Sequence, residues 1–268
     1  MSKNKPRLDD YQMIHTSWDY DCARDAGLSF VERLKECPRE PDPFIYGARF
    51  AAAIAIRAAL KTYNRLEITG RKNLPRDGSY VIVANHASHL DAVAILSALP
   101  LRLLNRAYPI AARDYFASNS ARLALTAIIA NVMLLDRNSK GMDALTNCKR
   151  MLDERDNVLV MFPEGTRSTN GRVGLFRRGI GLLLAGERYP VVPCYLDGTN
   201  RAWPKGALIP RPSRVRLFIG EPRTYERVER SDAGALHVCA DLQAAVRELT
   251  GKAQQQTASR PVSQEAYL

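Results

Sequence analysis

Six short apolar runs recur along the chain, and their alternation with helix-like stretches constrains its fold more than any other sequence feature. The runs are rich in valine, isoleucine and aromatic residues, a composition typical of buried β-strands. These strand candidates are residues 79–84, 107–112, 131–135, 157–162, 190–196 and 214–220. The helix-like stretches lie at residues 90–99, 114–130, 139–155, 176–186 and 232–249. Strands that alternate with helices predict a single α/β domain, with a largely buried central sheet flanked by helices.

The regions outside this pattern divide the chain further. Residues 1–42 are polar and charged, and they are predicted to form an appended N-terminal arm. The main α/β domain is predicted to span residues 66–250. The tail, residues 251–268, is polar and aperiodic, which is typical of a disordered segment.

Residues 43–65 are predicted to form an amphipathic helix that precedes the domain. Arg49 and Arg57 interrupt its apolar stretch at 43–60, which therefore lacks the about 18 uninterrupted apolar residues of a clean membrane span. The helix could lie in a membrane interface with its arginines reaching toward lipid headgroups. It could equally be a core helix of a soluble domain. We favour the interfacial helix because the basic content continues to Arg65.

The charge of the chain predicts an anionic partner. The formal net charge is +11 and the isoelectric point is about 9.6. Nucleic acid, an anionic membrane and an acidic or phosphorylated partner would all suit this charge, and so would a solvated surface with no partner. Nucleic acid is the least favoured of these, because the sequence contains no recognition motif and no interleaving of basic and aromatic residues. Five cysteines without C-x-x-C spacing favour a reducing compartment.

The seven residues NHASHLD, at 85–91, contain two of the four histidines of the chain. They lie between a strand candidate and a helix candidate, and open α/β sheets bind ligands at the carboxyl ends of strands. His86 and Asp91 are five residues apart, so they can pair only if His86 lies at or before the first helical turn. Such a pair holds an imidazole in one tautomer, and its other nitrogen can then accept a proton.

A metal site and a simple turn cap are the two rival interpretations of NHASHLD. The letters H-L-D are a fragment of the H-x-H-x-D-H cluster of some metallo-hydrolases, but Ala87 and Ala92 occupy two of the ligand positions. With only His15 and His237 elsewhere in the chain, no metal site is predicted. The remaining alternative is a histidine that does no more than cap the turn.

A second polar loop, FPEGTRSTNGR at 162–172, also follows a strand candidate. The loop offers a carboxylate, a glycine, a hydroxyl and a guanidinium: Glu164, Gly165, Thr166 and Arg167. A guanidinium can donate two parallel hydrogen bonds to one phosphate, so Arg167 beside a glycine-bearing loop suits a phosphate ligand. Arg137 follows a third strand candidate. Polar residues at successive strand ends predict one shared crevice at the edge of the sheet.

These motifs resemble the blocks of a known family, the glycerolipid acyltransferases. NHASHLD matches the N-H-x-S-x-x-D block of that family, and FPEGTRS matches its third block letter for letter. LLDR at 134–137 is similar to the end of the second block, VVPCYLDGT at 191–199 to the fourth, and LFRRGI at 175–180 to an F-K-x-G element. The sequence is identified, over about residues 66–220, as a member of this family, which includes the 1-acylglycerol-3-phosphate (lysophosphatidic acid) acyltransferases.

The resemblance implies an O-acyltransferase of phospholipid biosynthesis. It would move a fatty acyl group from an acyl-CoA or acyl-carrier-protein thioester to a hydroxyl of a lysophospholipid, with 1-acylglycerol-3-phosphate as the first candidate. His86 would be the general base, Asp91 would orient it, and His89 is interpreted as a neighbour of the base. The implied substrate-binding residues are Glu164, Gly165, Thr166, Arg167 and Arg137. No metal and no cofactor beyond the acyl donor is implied, and residues 66–250 would form the acyltransferase domain.

The implied partners are the acyl donor, the lysophospholipid acceptor and an anionic membrane surface, without nucleic acid. The resemblance implies that the protein is located at the cytoplasmic face of a membrane, as a peripheral or monotopic protein. One alternative is an acyltransferase for another acceptor, such as an amino-acid-containing lysolipid or another lipid alcohol. The other is a non-catalytic lipid-binding member, against which the intact His86, Asp91 and Glu164 argue, because a module that only binds needs no positioned base.

Overall fold

All six strand candidates form strands, and a short seventh strand joins them in one sheet. The structure is a computed structural model that describes residues 43–112, 126, 129–135, 142–154, 156–204, 206–207 and 209–258. Within these residues the strands are β1 (Glu67–Thr69), β2 (Tyr80–Ala84), β3 (Ala107–Ala112), β4 (Met133–Leu135), β5 (Val158–Met161), β6 (Val191–Asp197) and β7 (Arg216–Ile219). The helices are α1 (Pro43–Thr62), α2 (Leu90–Ala98), α3 (Met142–Asp153), α4 (Gly179–Leu184), α5 (Thr199–Ala202) and α6 (Asp232–Ala258).

The sheet has the strand order β1-β7-β6-β2-β5-β3-β4. β7 runs antiparallel to β6 and every other neighbouring pair is parallel, so the sheet is mixed. Val83 lies opposite Met161, and Ala84 lies opposite Cys194. This register places the carboxyl ends of β2, β5 and β6 side by side at one edge, where the loops that follow them can meet.

The central strand β2 is buried along its whole length, as expected for a strand that is covered on both faces. Its side chains alternate between the two faces. Tyr80 and Ile82 join a core cluster that α2 completes, whereas Val81 and Val83 join a second cluster formed with α3, α4 and α6. Helices on both faces therefore hold β2 firmly, and Asn85, the residue that follows it, is buried as well.

α1 packs onto the domain through its two arginines, and the expectation that they reach toward lipid headgroups is wrong. Arg49 is buried, and its Nη1 donates a hydrogen bond to Asn105 Oδ1 at 2.6 Å. Arg57 Nη2 donates to the backbone oxygen of Leu99 at 2.5 Å. Both guanidinium groups thus find acceptors in the domain, because α1 lies close enough for their long side chains to reach them. The helix also ends earlier than predicted, at Thr62.

The exposed surface of α1 includes large apolar side chains. Phe50 and Ile54, one turn apart, are 48% and 49% exposed. By length and composition α1 is the one described helix that could cross a membrane, and 11% of its most apolar window is buried. Membrane contact by residues 43–65 stays a prediction.

The last helix is longer than predicted and includes part of the tail that was expected to be disordered. α6 continues to Ala258, so residues 251–258 are helical. Ala253 is buried against β7, and its backbone oxygen accepts a hydrogen bond from Arg216 Nη1 at 3.1 Å. Tertiary packing therefore stabilises a segment whose local sequence is polar and aperiodic. Residues 259–268 lie outside the described residues.

α4 and β1 also differ from the predictions. α4 is shorter than the predicted helix at 176–186, because the backbone N–H of Arg177 donates to Pro163 O, at 2.8 Å, and so ties this residue to the loop after β5. β1 was not predicted, since a three-residue edge strand carries too few residues for a periodic signal. The predicted arm at 1–42 and most of the predicted helix at 114–130 lie outside the described residues.

Candidate active site

His86 and Asp91 form a pair in the turn between β2 and α2. The distance from His86 Nδ1 to Asp91 Oδ2 is 2.8 Å, and the aspartate is fully buried. The same oxygen accepts the backbone N–H groups of Ala87 at 2.6 Å and of Ser88 at 2.7 Å. His86 lies before the first helical turn, as the five-residue step requires. With the Nδ1 proton donated to the carboxylate, Nε2 carries the lone pair and can accept a proton.

The loop after β5 holds His86 on three sides. The imidazole stacks on the ring of Phe162, with the ring centroids 4.2 Å apart and the planes at 19°. The His86 backbone N–H donates to Glu164 Oε1 at 3.0 Å, and its backbone oxygen accepts from the Ser168 N–H at 2.7 Å. The side chain of His86 is 24% exposed. The imidazole is therefore fixed by its surroundings and still reachable from solvent.

Glu164 was predicted to bind the acceptor, and the structure places its carboxylate against the backbone of the His86 turn. The residue is 7% exposed. Burial raises the pKa of this carboxyl, while hydrogen bonds from the backbone N–H groups of His86 and Gly174 partly oppose the shift. A Cβ at Gly174 would lie 2.8 Å from Glu164 Oε2, so a glycine is needed there for the carboxylate to fit. A contact between Glu164 and an acceptor stays a prediction.

Gly165 gives the loop after β5 its tight turn. Its φ of +70° lies in the left-handed region, and a Cβ there would lie 2.5 Å from Arg177 Nε. Arg177 Nε itself donates to the backbone oxygen of Glu164 at 3.1 Å, and the Gly165 N–H donates to Phe162 O at 3.0 Å. Thr166, the next residue, is exposed. The Thr166 side chain is therefore open to solvent, whereas Arg167 is half-buried.

Arg167 reaches across to the start of α2, where it meets the second histidine of NHASHLD. Arg167 Nη1 lies 2.5 Å from His89 Nε2. The His89 ring in turn lies against the indole of Trp203, with centroids 5.5 Å apart and planes at 58°. Arg167 is therefore brought to the same turn that carries His86, three residues before His89 in the sequence.

The predicted role of Arg137 and the predicted absence of a metal both involve residues outside the described part of the chain. Arg137 is outside the described residues; its strand, β4, ends at Leu135 with its carboxyl end at the same edge of the sheet. Among the described residues, no group of three or more histidine, cysteine, aspartate or glutamate side chains could hold a metal ion. The absence of a metal requirement stays a prediction that an activity assay must test.

Sequence reasoning missed several residues that build the site. Asn85 bridges β2 and β6 at its rim, because its Nδ2 donates to Leu196 O at 3.0 Å and its Oδ1 accepts the Leu196 N–H at 2.8 Å. Phe162 supports the imidazole, and Trp203 supports His89. Asn85 and Phe162 were visible as the first letters of the two motifs. Nothing in the local sequence around Trp203 indicated its place.

Comparisons with known proteins agree with the resemblance found in the motifs. A family model described as Acyltransferase matches residues 65–197. The 1-acyl-sn-glycerol-3-phosphate acyltransferase alpha of Mus musculus is 29% identical over 175 residues, which cover 64% of this chain and 59% of the relative. The 1-acyl-sn-glycerol-3-phosphate acyltransferase BAT2, chloroplastic, of Brassica napus is 33% identical over 200 residues, which cover 73% of this chain and 54% of the relative. The chain therefore spans between half and three fifths of the length of these relatives.

A solved structure has the same fold. The crystal structure of the 1-acyl-sn-glycerophosphate (LPA) acyltransferase PlsC from Thermotoga maritima matches with a TM-score of 0.55 at 21% sequence identity. The match covers 82% of this chain and 89% of that one, and it shows an α/β domain with a central sheet flanked by helices. Through a matched region that contains His86, Asp91 and the loop from Glu164 to Arg167, the chain belongs to the glycerolipid acyltransferase family.

Proposed function

We propose that the chain is an O-acyltransferase that moves a fatty acyl group from an acyl-CoA or acyl-carrier-protein thioester to a hydroxyl of a lysophospholipid. The observation that carries the proposal is the His86–Asp91 pair, with the imidazole held at 2.8 Å from a buried carboxylate and still partly exposed. Such an arrangement provides a base at the open end of a strand. The mouse and rapeseed relatives are acyltransferases of 1-acyl-sn-glycerol-3-phosphate, which makes this lysolipid the first acceptor to test.

The reaction needs one base and no covalent enzyme intermediate. His86 Nε2 takes the proton of the acceptor hydroxyl while the hydroxyl oxygen attacks the thioester carbonyl carbon. The tetrahedral oxyanion then collapses, the carbon–sulfur bond breaks, and the departing thiolate takes the proton from the imidazolium. Asp91 stabilises that imidazolium and keeps the ring in one tautomer. The products are an ester and a free thiol, and His86 returns to its neutral form. The sequence contains no G-x-S-x-G nucleophile elbow, which agrees with direct attack.

Arg167 is the proposed ligand of the acceptor phosphate. It follows the tight turn at Gly165, and its contact with His89 brings it beside the turn that carries His86. A guanidinium can donate two hydrogen bonds to one phosphate and thereby orient the acceptor relative to the base. Thr166, Glu164 and Arg137 are proposed as further acceptor contacts on the strength of the motifs.

The proposed place of action is the cytoplasmic face of a membrane. The acceptor is an amphiphile, and the exposed apolar side of α1, with Phe50 and Ile54, could bind the membrane interface as a peripheral or monotopic protein. The net charge of +11 favours an anionic lipid surface and an anionic acyl donor.

One assay tests the proposed reaction. The purified chain of residues 1–268 would be given matched acyl-CoA and acyl-carrier-protein donors, together with 1-acylglycerol-3-phosphate, phosphate-free 1-acylglycerol and an amino-acid-containing lysolipid. We expect ester formation with the phosphate-bearing acceptor and equal activity with and without a chelator. Failure to acylate any lysolipid would overturn the proposed function. A preference for acceptors without phosphate would overturn the role of Arg167, and activity that chelation abolishes and zinc restores would overturn the metal-free mechanism.

A further inference from the structure

His89 lies at a position that the family motif leaves open, and it nevertheless contacts the loop that carries the other motif. Arg167 Nη1 and His89 Nε2 are 2.5 Å apart, although the two residues are 78 positions apart in the sequence. His89 is the residue that precedes α2, and its backbone already has helical dihedral angles. The contact therefore joins the start of a rigid helix to the loop after β5.

The direction of this hydrogen bond determines the form of the imidazole. A guanidinium is a donor only and stays protonated in proteins, so His89 Nε2 must be the acceptor. The ring is then neutral, with its proton on Nδ1. His89 is thus committed to holding Arg167 through the nitrogen that a general base would use.

The ring of His89 is itself held in place. Trp203 lies against it at 5.5 Å, and the indole N–H of Trp203 donates to the backbone oxygen of Ala207 at 2.8 Å. The backbone oxygen of Trp203 accepts from Ser88 Oγ at 2.7 Å, and the same hydroxyl accepts the Leu90 N–H at 3.1 Å. Trp203, which packs against the His89 ring, is therefore hydrogen-bonded to the turn that also holds the His86–Asp91 pair.

We propose that His89 is a positioning residue for the acceptor phosphate: it orients the guanidinium of Arg167 by accepting one of its N–H groups. This inference rests on the proposed function, because it assigns Arg167 to the acceptor. An arginine on an exposed loop samples many rotamers, and ordering it at the moment of binding weakens affinity. The hydrogen bond to His89 orders the Arg167 guanidinium before the acceptor binds. It also fixes the separation of the guanidinium from His86, which lies three residues before His89.

This role predicts a particular kinetic signature. The loss of His89 should weaken binding of the phosphate-bearing acceptor while leaving proton transfer at His86 intact, so KM for the acceptor should rise and kcat should change little. His89→Gln should keep most of the wild-type affinity, because an amide oxygen can also accept a hydrogen bond from a guanidinium. A residue that merely stabilised the turn would instead lower kcat through the His86–Asp91 geometry.

The test combines His89→Ala, His89→Gln, Arg167→Ala and the double variant, with His237→Ala on α6 as a control for loss of an exposed histidine. We expect His89→Ala to raise the acceptor KM by about tenfold with kcat within about twofold of wild type, and Arg167→Ala to raise KM at least as much. In the Arg167→Ala background, His89→Ala should add little, because residues that act as one unit are not additive. Additive losses, or a fall in kcat without a change in KM, would overturn the inference.

A binding measurement separates this inference from the proposed function. A water-soluble short-chain lysophosphatidate would be titrated into the wild-type protein and each variant by calorimetry. Wild-type protein that binds the lipid and transfers no acyl group would overturn the proposed function alone, and the dissociation constants would still decide the role of His89. Equal dissociation constants for wild type and His89→Ala would overturn the inference alone. A wild-type protein that neither binds nor acylates this lipid would overturn both.

Discussion

At the scale of the residue, a single carboxylate oxygen, Asp91 Oδ2, organises the candidate site. Asp91 Oδ2 accepts the Nδ1–H of His86 and two backbone N–H groups of the same turn, at 2.6–2.8 Å. Asp91 therefore determines the shape of the turn as well as the tautomer of the imidazole, and its removal would disturb both. The side chain of His86 makes fewer hydrogen bonds in the turn than that of Asp91 and is partly exposed. A substitution of His86 should therefore affect catalysis more than folding.

His86→Ala should abolish acyl transfer and leave the protein folded. A general base contributes on the order of a hundredfold to ten-thousandfold in rate, so we expect at least about a hundredfold loss of kcat. The lost stack on Phe162 and the lost hydrogen bond to the buried Asp91 should together cost about 1–3 kcal/mol in the free energy of unfolding. Steady-state kinetics and urea unfolding would measure the two effects, with His237→Ala as the control. Full activity in His86→Ala would show that His86 is not the base.

Glu164 should make a contribution to stability that declines as pH rises. Burial raises the pKa of its carboxyl in the folded protein, so the folded state binds this proton more tightly than the unfolded chain. The free energy of unfolding then falls, through this group, as pH rises from the ordinary carboxyl value through the raised one. Glu164→Gln does not titrate and lacks this contribution. We therefore expect the difference in unfolding free energy, wild type minus variant, to decrease as pH rises above the ordinary carboxyl value of about 4 in urea unfolding.

A difference that increases with pH would contradict the raised pKa of Glu164. It would mean that the hydrogen bonds from the backbone N–H groups of His86 and Gly174 outweigh burial. Because the two proteins share every other titrating group, the subtraction reports the Glu164 carboxyl together with its electrostatic coupling to His86 and Asp91.

At the scale of secondary-structure elements, the contact between α4 and α6 bears on stability, and the exposed apolar residues of α1 bear on membrane binding. α4 follows the loop that carries Glu164 and Arg167, and α6 packs across it. Gly181 lies where the two helices approach closely: a Cβ there would lie 2.0 Å from the backbone oxygen of Ala235. The contact thus depends on a glycine in the middle of a helix.

Gly181→Ala should force α4 away from α6 and destabilise the protein. Backbone cannot yield as a flexible side chain does, so we expect a loss of at least about 1–3 kcal/mol in the free energy of unfolding. Gly179→Ala in the same helix is the matched control, because no atom lies within 4 Å of the position of its Cβ. That variant should be neutral or stabilising by up to about 1 kcal/mol. Urea unfolding would compare them, and equal stabilities would refute the close approach.

The apolar face of α1 should contribute to membrane binding. Replacing Phe50 and Ile54 together by serine removes exposed apolar area from this helix without touching the buried Arg49 contact. We expect about tenfold weaker partition into lipid vesicles in a sedimentation assay, with the unfolding free energy nearly unchanged. Leu236→Ser on α6 is the matched control, since Leu236 is also exposed. Unchanged vesicle binding in the double variant would show that α1 is not the membrane-binding element.

At the scale of the whole molecule, the excess of basic residues should act through long-range electrostatics. Several arginines are neutralised locally, as Arg216 is by Asp197 and Arg223 is by Asp241. The net charge of +11 nevertheless remains, and it should attract the whole molecule to an anionic bilayer. This attraction is separate from apolar insertion, because salt screens only the first.

Binding to anionic vesicles should therefore weaken as salt is raised. We expect the bound fraction to fall strongly between about 50 mM and about 500 mM salt, because the Debye length shrinks over that range. Binding to vesicles of neutral lipid should change little over the same range. A bound fraction that is insensitive to salt on anionic vesicles would show that charge does not drive the association.

The parts of the fold that local patterns predict correctly are those in which burial is continuous along the sequence. β2 and its neighbours were predicted because both faces of each strand are covered, which leaves an uninterrupted apolar run. β1 and residues 251–258 were missed because the first is very short and the second is stabilised by packing on β7. The contacts of Arg49 and Arg57 were mispredicted for a related reason: a charged residue in an apolar helix does not reveal what lies opposite it.

The sequence by itself determined the α/β class and showed that His86 and Asp91 could pair, because strand periodicity and a five-residue step are local properties. Only the tertiary structure decided that Glu164 holds the backbone of His86 and that Arg167 meets His89. Each of these contacts joins residues that are 78 positions apart, and each depends on the register that places β2 beside β5. Local patterns carry no information about that register, since it results from the packing of the whole sheet between its helices.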